Sequence, residues 1–356
     1  MSRSFPTTAH RRGTRGPAPT AEVNLRDVAR HAGVSPATAS RVFSGNAAVS
    51  DETRTKVLDS AAELGYVVNA LAQAMMGTGR RPLAFVASAI DDPALAQLAS
   101  GAEHVATNHG YLFMLSLTRG DLSRENDIIE TLCEQRAAGV LLSGPTEPGS
   151  ASEERISHYA RELSLVGASL ILCAHPYMPA LPRVLTVNVD RVGAVRQTVS
   201  HLIGKGHRHI GFLGWHNSTT VSQLFLGYSL GLKDAGLVLD SGLVVKCPDE
   251  IIDAHLATLL LLKSPEPPTA IICASDIIAM GAYRAARDLG INIPDQLAIT
   301  GFGDSPVAAD LVPPLTSVHV PYFDVGVRGA ELALGLAQEE IRVELPTHLT
   351  IRESTG

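Results

Sequence analysis

The chain has 356 residues, 45% of them hydrophobic but only 4% aromatic, and a formal net charge of −7. That length predicts two or three units with aliphatic cores, and no apolar run approaches the ~18–20 residues of a membrane span. The charge is divided: Met1 to Pro82 holds eleven Lys/Arg against six Asp/Glu, and the rest holds 18 against 30, a basic head on an acidic body, which is the asymmetry expected where only the head meets a polyanion.

Residues 1–22 (MSRSFPTTAHRRGTRGPAPTAE) have no hydrophobic period, which predicts a disordered basic tail with non-specific attraction to phosphate. Helical punctuation then begins. Asn24 is placed to cap a helix carrying Leu25, Val28, Ala29 and Ala32 on one face, and Gly33 ends it. Ser35 caps a second helix with Pro36 in its first turn, running to about Phe43 before Ser44-Gly45-Asn46 breaks it. Ser50 caps a third, with Asp51 and Glu52 in the first turn, Val57, Leu58, Ala61 and Leu64 on one face, and Gly65 at its close. A short stretch from Asn69 to Met76 precedes the linker Gly77–Pro82. Two short helices joined by a tight glycine turn, with a third behind, make a helix-turn-helix. The same pattern also fits a three-helix mini-domain that binds protein or nothing.

After Pro82 short apolar runs alternate with amphipathic stretches. The runs are Leu83–Ala89, Tyr111–Leu117, Val140–Ser143, Leu170–Ala174, Val184–Val189, His209–Leu213, Leu243–Lys246, Ala270–Ala274 and Leu297–Gly301. This is the β/α alternation of parallel sheets covered by helices. Nine strands suit two similar subdomains, with a ligand in the cleft between them at the carboxyl ends of the strands.

At LRDVARHAGVSPATASRVFSG, followed by VSDETRTKVLDSAAELGY, the chain resembles the lactose-repressor (LacI/GalR) family. The resemblance implies an all-α helix-turn-helix head on an α/β, periplasmic-binding-protein-like core of two parallel-sheet subdomains. It implies hydroxyls that bond phosphates at Ser35, Thr38, Ser40 and Ser50, and base-reading positions at Pro36, Ala37 and Arg41. Arg41 is the long donor there, suited to a bidentate bond to guanine. The stretch from Asn69 to Gly77 resembles the family's hinge helix, which would put Met75 at the wedge that opens a minor-groove base step, with Val68 where proline is common.

The resemblance continues at GHRHIGFLG (206–214), PTAIICASDIIAMGAYRAARDLG (268–290), IPDQLAITGFGDSP (293–306), PPLTSVHVP (313–321) and LTIREST (349–355). The implied domains are the tail (1–22), the DNA-binding domain (23–67), the hinge helix and linker (68–82), and the core (83–356). The core divides into one subdomain of about 83–187 with 313–345 and another of about 188–312 with 346–356. In the family's effector pocket a common arginine aligns with Leu224, two aspartates with Ala174 and Gly303, a frequent asparagine with Ser275, and mouth aromatics with Ala94 and Leu95. Those replacements remove the bidentate bonds that select sugars. Two readings stay open: an effector that is more apolar or held by other polar groups such as Ser218, Thr220, His175 or His216, or a core that has lost small-molecule binding.

The expected partners are a double-stranded palindromic operator, a second copy of the chain and a small-molecule effector, with repression the expected outcome. No membrane, metal or cofactor is expected. The dispersed Cys133, Cys173, Cys247 and Cys273 and the lack of an apolar stretch after the N-terminal arginines fit a cytoplasmic chain. A solute-binding protein explains the body but not the head. A hydrolase rests on the GxSxG string Gly227–Gly231, which reads as mid-helix rather than a nucleophile elbow. Gly301-Phe302-Gly303 lacks the third glycine of a dinucleotide loop, and His207-Arg208-His209 reads as a strand-entry turn.

Overall fold

A computed structural model describes residues 23–43, 49–66, 81–144, 146–338 and 341–356. The chain divides into two compact units, Met1–Arg80 and Arg81–Gly356.

In the first unit, α1 (Leu25–His31), α2 (Pro36–Phe43) and α3 (Asp51–Glu63) enclose a small core of Val28, Ala29, Ala39, Val42, Val57 and Ala61. Asn24 and Asp27 form a reciprocal capping box on α1. Gly33, at φ +68°, makes the turn into α2, a backbone conformation that glycine adopts at no steric cost. Ala39 and Val42 are the buried side of α2, which leaves Pro36, Ala37 and Arg41 exposed opposite them.

The second unit contains two six-stranded sheets. The first has the order β11-β5-β4-β3-β1-β2, from β1 (Leu83–Ala87), β2 (Phe113–Leu117), β3 (Gly139–Ser143), β4 (Ser169–Cys173), β5 (Leu185–Val189) and β11 (Arg342–Leu345). The second has the order β12-β10-β9-β8-β6-β7, from β6 (Ile210–Trp215), β7 (Val244–Lys246), β8 (Ala270–Cys273), β9 (Ala298–Gly303), β10 (Thr316–His319) and β12 (His348–Thr350). Pairing is parallel throughout except where β12 runs antiparallel to β10. The strands β1, β3, β5 and β8 are buried along their whole length, which is why the sequence shows apolar runs there rather than alternation.

The covering helices are α4 (Pro93–Asn108), α5 (Leu122–Glu134), α6 (Ser150–Leu165), α7 (Arg191–Gly204), α8 (Thr219–Asp234), α9 (Ile251–Leu262), α10 (Asp276–Leu289), α11 (Pro306–Asp310) and α12 (Tyr322–Ala333). In α4 and α12 the glycines permit direct backbone contact: a Cβ at Gly101 would lie 2.0 Å from Phe323 O, and one at Gly326 would lie 2.0 Å from Leu98 O.

One expected boundary needs correction. The stretch 313–345 does not belong to the first subdomain from its start, because β10 pairs with β9 and β12 in the second sheet. The chain returns to the first subdomain only after His319, through α12. Three connections therefore join the subdomains, after β5, after β10 and between β11 and β12.

Candidate functional site

The head presents one face built from short side chains and a single arginine. Ser35 sits at the start of α2, where its Oγ accepts from Thr38 N at 3.1 Å and lies 2.8 Å from Thr38 Oγ1. Ser50 does the same for α3: its Oγ accepts from Thr53 N and lies 2.9 Å from Thr53 Oγ1. Both hydroxyls thus mark helix N-termini, where backbone N–H groups and the helix dipole favour a phosphate. Arg41 lies in the last turn of α2, exposed like Pro36 and Ala37, while Thr38 and Ser40 are partly covered. The flanking segments explain the basic balance of residues 1–82. Residues 23–66 hold five basic and five acidic side chains, so the excess lies in 1–22 and 67–82. Asn69 and Met75 fall outside the described residues.

In the second unit the carboxyl ends of β1, β3, β4, β6, β7, β8 and β9 converge on a cleft of about 750 Å³ between the two sheets. Of the positions singled out in the sequence, Ala94, Leu95 and Ala174 line it from the first subdomain, and Ser218, Thr220, Leu224, Ser275 and Gly303 line it from the second. His216 joins them. Several are already committed to structure. Ser218 Oγ caps α8 by accepting from Val221 N at 3.1 Å, and Ser275 Oγ caps α10 by accepting from Ile278 N at 3.1 Å. Gly303 adopts φ +123°, and a Cβ there would lie 3.6 Å from Asp276 Oδ2. An aspartate at that position would therefore bring a second carboxylate beside Asp276.

His175 is the exception. It is buried beside a separate cavity of about 70 Å³ rather than in the cleft. Its Nδ1–H donates to Pro176 O at 2.7 Å, leaving Nε2 to accept from the Thr146 hydroxyl. Burial, with the charges of Arg191 and Arg155 adding to it, lowers its pKa to about 4. Thr146 also reaches across to α8, where its carbonyl accepts from Thr219 N at 2.8 Å and the two hydroxyls lie 2.8 Å apart. His175 thus steadies a contact between subdomains and offers no side chain to the cleft.

The carboxylates are what the sequence reading missed. Asp91, Asp92, Asp249, Glu250 and Asp276 all line the cleft. Asp92 caps α4, accepting from Ala94 N at 2.8 Å, and burial raises its pKa. Asp276 is 2% exposed; its Oδ1 accepts from Ser317 Oγ at 2.6 Å and its Oδ2 from Ser305 N and Oγ at 2.6 and 2.8 Å. Burial raises its pKa as well, against the pull of those three donors. The Asp92-Pro93 helix-start signal was legible, but a capping residue and a cleft-lining residue look alike in sequence. Arg191, also missed, lies on the cleft floor at the first crossing and is tied back to the first subdomain. Its Nη1 donates to Asn188 Oδ1 and its Nη2 to Ala174 O, each at 2.7 Å.

The hydrolase string is resolved by geometry. Gly227–Gly231 lies inside α8, where Ser229 Oγ donates to Phe225 O at 2.8 Å, so the serine sits on a helix face and not on a strand-to-helix turn. Among the described residues no helix is long and apolar enough to cross a membrane.

A three-helix head of helix-turn-helix form, followed by two parallel-sheet subdomains around a cleft, has the architecture of a ligand-responsive DNA-binding regulator. Residues 24–69 match the model for bacterial regulatory proteins of the lacI family, and residues 199–355 match that for a periplasmic binding protein-like domain. Catabolite control protein A of Priestia megaterium is 30% identical over 94% of this chain and 99% of its own length. The HTH-type transcriptional repressor CytR of Escherichia coli K12 is 29% identical over 88% of this chain and 89% of its own. The Lac repressor dimer bound to operator and the anti-inducer ONPF has a similar fold, with a TM-score of 0.81 at 24% identity over 94% of this chain and 99% of that one. The chain belongs to the LacI family of bacterial regulatory proteins, and it is a transcription regulator.

Proposed function

We propose that this chain represses transcription by binding a palindromic operator as a homodimer, and that a small molecule in the cleft changes its affinity for that operator. The exposed face of α2 carries the reading. Ser35, Thr38, Ser40 and Ser50 hold phosphates and set the register, Arg41 reads a guanine edge, and Pro36 and Ala37 give apolar contact. Asn69 and Met75 are assigned to the minor groove on the family pattern.

A second copy of the chain is the partner that fits the apolar stripe on α9. Ile252, Leu256 and Leu260 follow one another at four-residue spacing and are 63%, 53% and 75% exposed. Such a stripe on a regulator whose operator is two-fold symmetric marks a self-complementary contact. Leu256→Asp should shift the protein from dimer to monomer in sedimentation and weaken operator binding by about 100-fold, the scale of lost bivalence. A variant that stays dimeric would remove α9 from the interface.

The replacement of the family's polar anchors at Leu224, Ala174 and Gly303 predicts that ordinary sugars do not release the repressor. Mobility shift of its own upstream region, with and without hexoses and pentoses, tests both halves. Retention at millimolar sugar is expected, and release at sub-millimolar sugar would contradict the pocket assignment. Absence of any shift at low salt would contradict DNA binding itself.

A further inference from the structure

Among the described residues the cleft has five carboxylates and one guanidinium, and that guanidinium is engaged on Asn188 and Ala174. Asp276 is filled by protein donors. Asp92 and Asp249 are different. They stand on opposite subdomains, and neither forms an ion pair among the described residues. Asp249 is held toward the cleft by the hydroxyl of Ser275. Enclosure by the cleft walls raises its pKa, with the charges of Asp92 and Asp276 adding to that and the Ser275 hydrogen bond and the charge of His216 opposing it.

Two polar groups of the same cleft also lack protein partners among the described residues. Arg191 is 2% exposed and its Nε–H has no acceptor there, and no hydrogen bond of the Tyr322 hydroxyl occurs there either. A cavity of this volume, with unspent polar groups below and unpaired carboxylates on both walls, is equipped for a ligand rather than closed on itself. No group of three metal-ligating side chains occurs among the described residues, so a coordinated metal ion does not fit. Beside the polar side chains the lining carries an apolar group, Leu95, Leu224, Ile251, Ile278 and Phe302.

We infer that the effector is a small organic cation, an amine whose ammonium group sits between Asp92 and Asp249 while its body packs against Leu224 and Phe302. The inference rests on the reading of the cleft as the effector site. It also supplies a switch. Without a cation the two walls carry like charges and repel; with one, each wall is drawn to the ligand, so the ligand binds the closed arrangement better than the open one. A neutral sugar leaves that repulsion in place, and an anion adds to it.

The test uses the full chain and two matched series: phenethylamine, 2-phenylethanol and phenylacetate, then glucosamine, glucose and gluconate. Binding is read from the thermal midpoint and from Trp215, the single tryptophan of the chain, which ends β6 beside the cleft residue His216. Asp92→Asn keeps a helix cap, and Asp249→Asn keeps an acceptor for Ser275, so the double variant removes charge with little change of shape. At least one amine should bind tenfold or more tightly than its uncharged twin, and the double variant should erase that difference. An uncharged or anionic member that binds the wild type as tightly as its amine, or an amine preference that survives the double variant, overturns the cation inference and leaves the cleft reading standing. If no member of either series binds the wild type, the cation inference falls and the cleft reading loses its support with it.

Discussion

Arg41→Ala is expected to cost about 1–3 kcal/mol of operator binding while leaving affinity for random DNA nearly unchanged. The buried side of α2 is spent on Ala39 and Val42, and its exposed side carries Pro36, Ala37 and Arg41, with Ser35 at its N-terminus. Ser35 and Thr38 are bonded to one another and to the start of the helix, which suits them to phosphate but not to base edges. Proline and alanine contribute only apolar contact. A long planar donor that can form two bonds to guanine is therefore the main source of discrimination on this helix, and Arg41 is that residue. Paired titrations of operator and random duplexes at several salt concentrations separate the alternatives. Equal loss on both duplexes, with a shallower salt slope, would make Arg41 a phosphate contact.

His175→Gln should change the acid stability of the core by about 3 kcal/mol between pH 7 and pH 4. The unfolded imidazole takes a proton near pH 6.5, whereas the folded one resists it down to about 4 because it is buried and lies near the charges of Arg191 and Arg155, against the opposing pull of its hydrogen bond to Pro176 O. Between those values the unfolded state binds more protons. Stability from this residue is therefore complete above pH 6.5 and is lost as pH falls, at ~1.36 kcal/mol per pH unit. Asp92 and Asp276 act in the opposite sense, since their raised pKa values favour the folded state as they are protonated. Only the difference between wild type and variant isolates the histidine. Chemical denaturation at steps from pH 7 to pH 4 should give a wild-type curve that falls relative to the variant's. Parallel curves would show that His175 is accessible to protons in the folded state.

The legible parts of this molecule were those where local chemistry and burial agree. Asn24, Gly33, Ser50 and the Ser35-Pro36 pair announce the helix boundaries of the head by chemistry confined to a few residues. All nine apolar runs overlap a strand; the strands β1, β3, β5 and β8, buried along their whole length, must be apolar throughout, whereas the edge strands β2 and β7 are only partly buried. The strands β10, β11 and β12 were not marked as runs. They have three or four residues, Thr316 and Ser317 are buried polar residues in β10, and β11 and β12 lie at sheet edges, so no apolar run forms. Burial of Thr316 is stabilised instead by Arg352 and Ser354, more than 35 residues away, a pairing invisible to local pattern.

The cleft was partly legible for a similar reason. Positions such as Leu224 and Gly303 were found because they depart from a family pattern. His175 follows Ala174 just after β4, but the turn there, with Ala174 at φ +53°, sends the two residues to different cavities. Asp92 and Asp249 are separated by more than 150 residues and line one cleft only because the two subdomains face each other. Their shared role is a property of the fold, and neither position carries a local sign of it.

Nuclease footprinting of the chain's own upstream region shows whether α2 reads a two-fold symmetric site. Wild-type protein should protect two inverted half-sites about one helical turn apart, ~10–10.5 base pairs between centres, and Arg41→Ala should lose that protection at the same concentration. Protection without inverted symmetry, or an unchanged footprint from Arg41→Ala, would contradict the account.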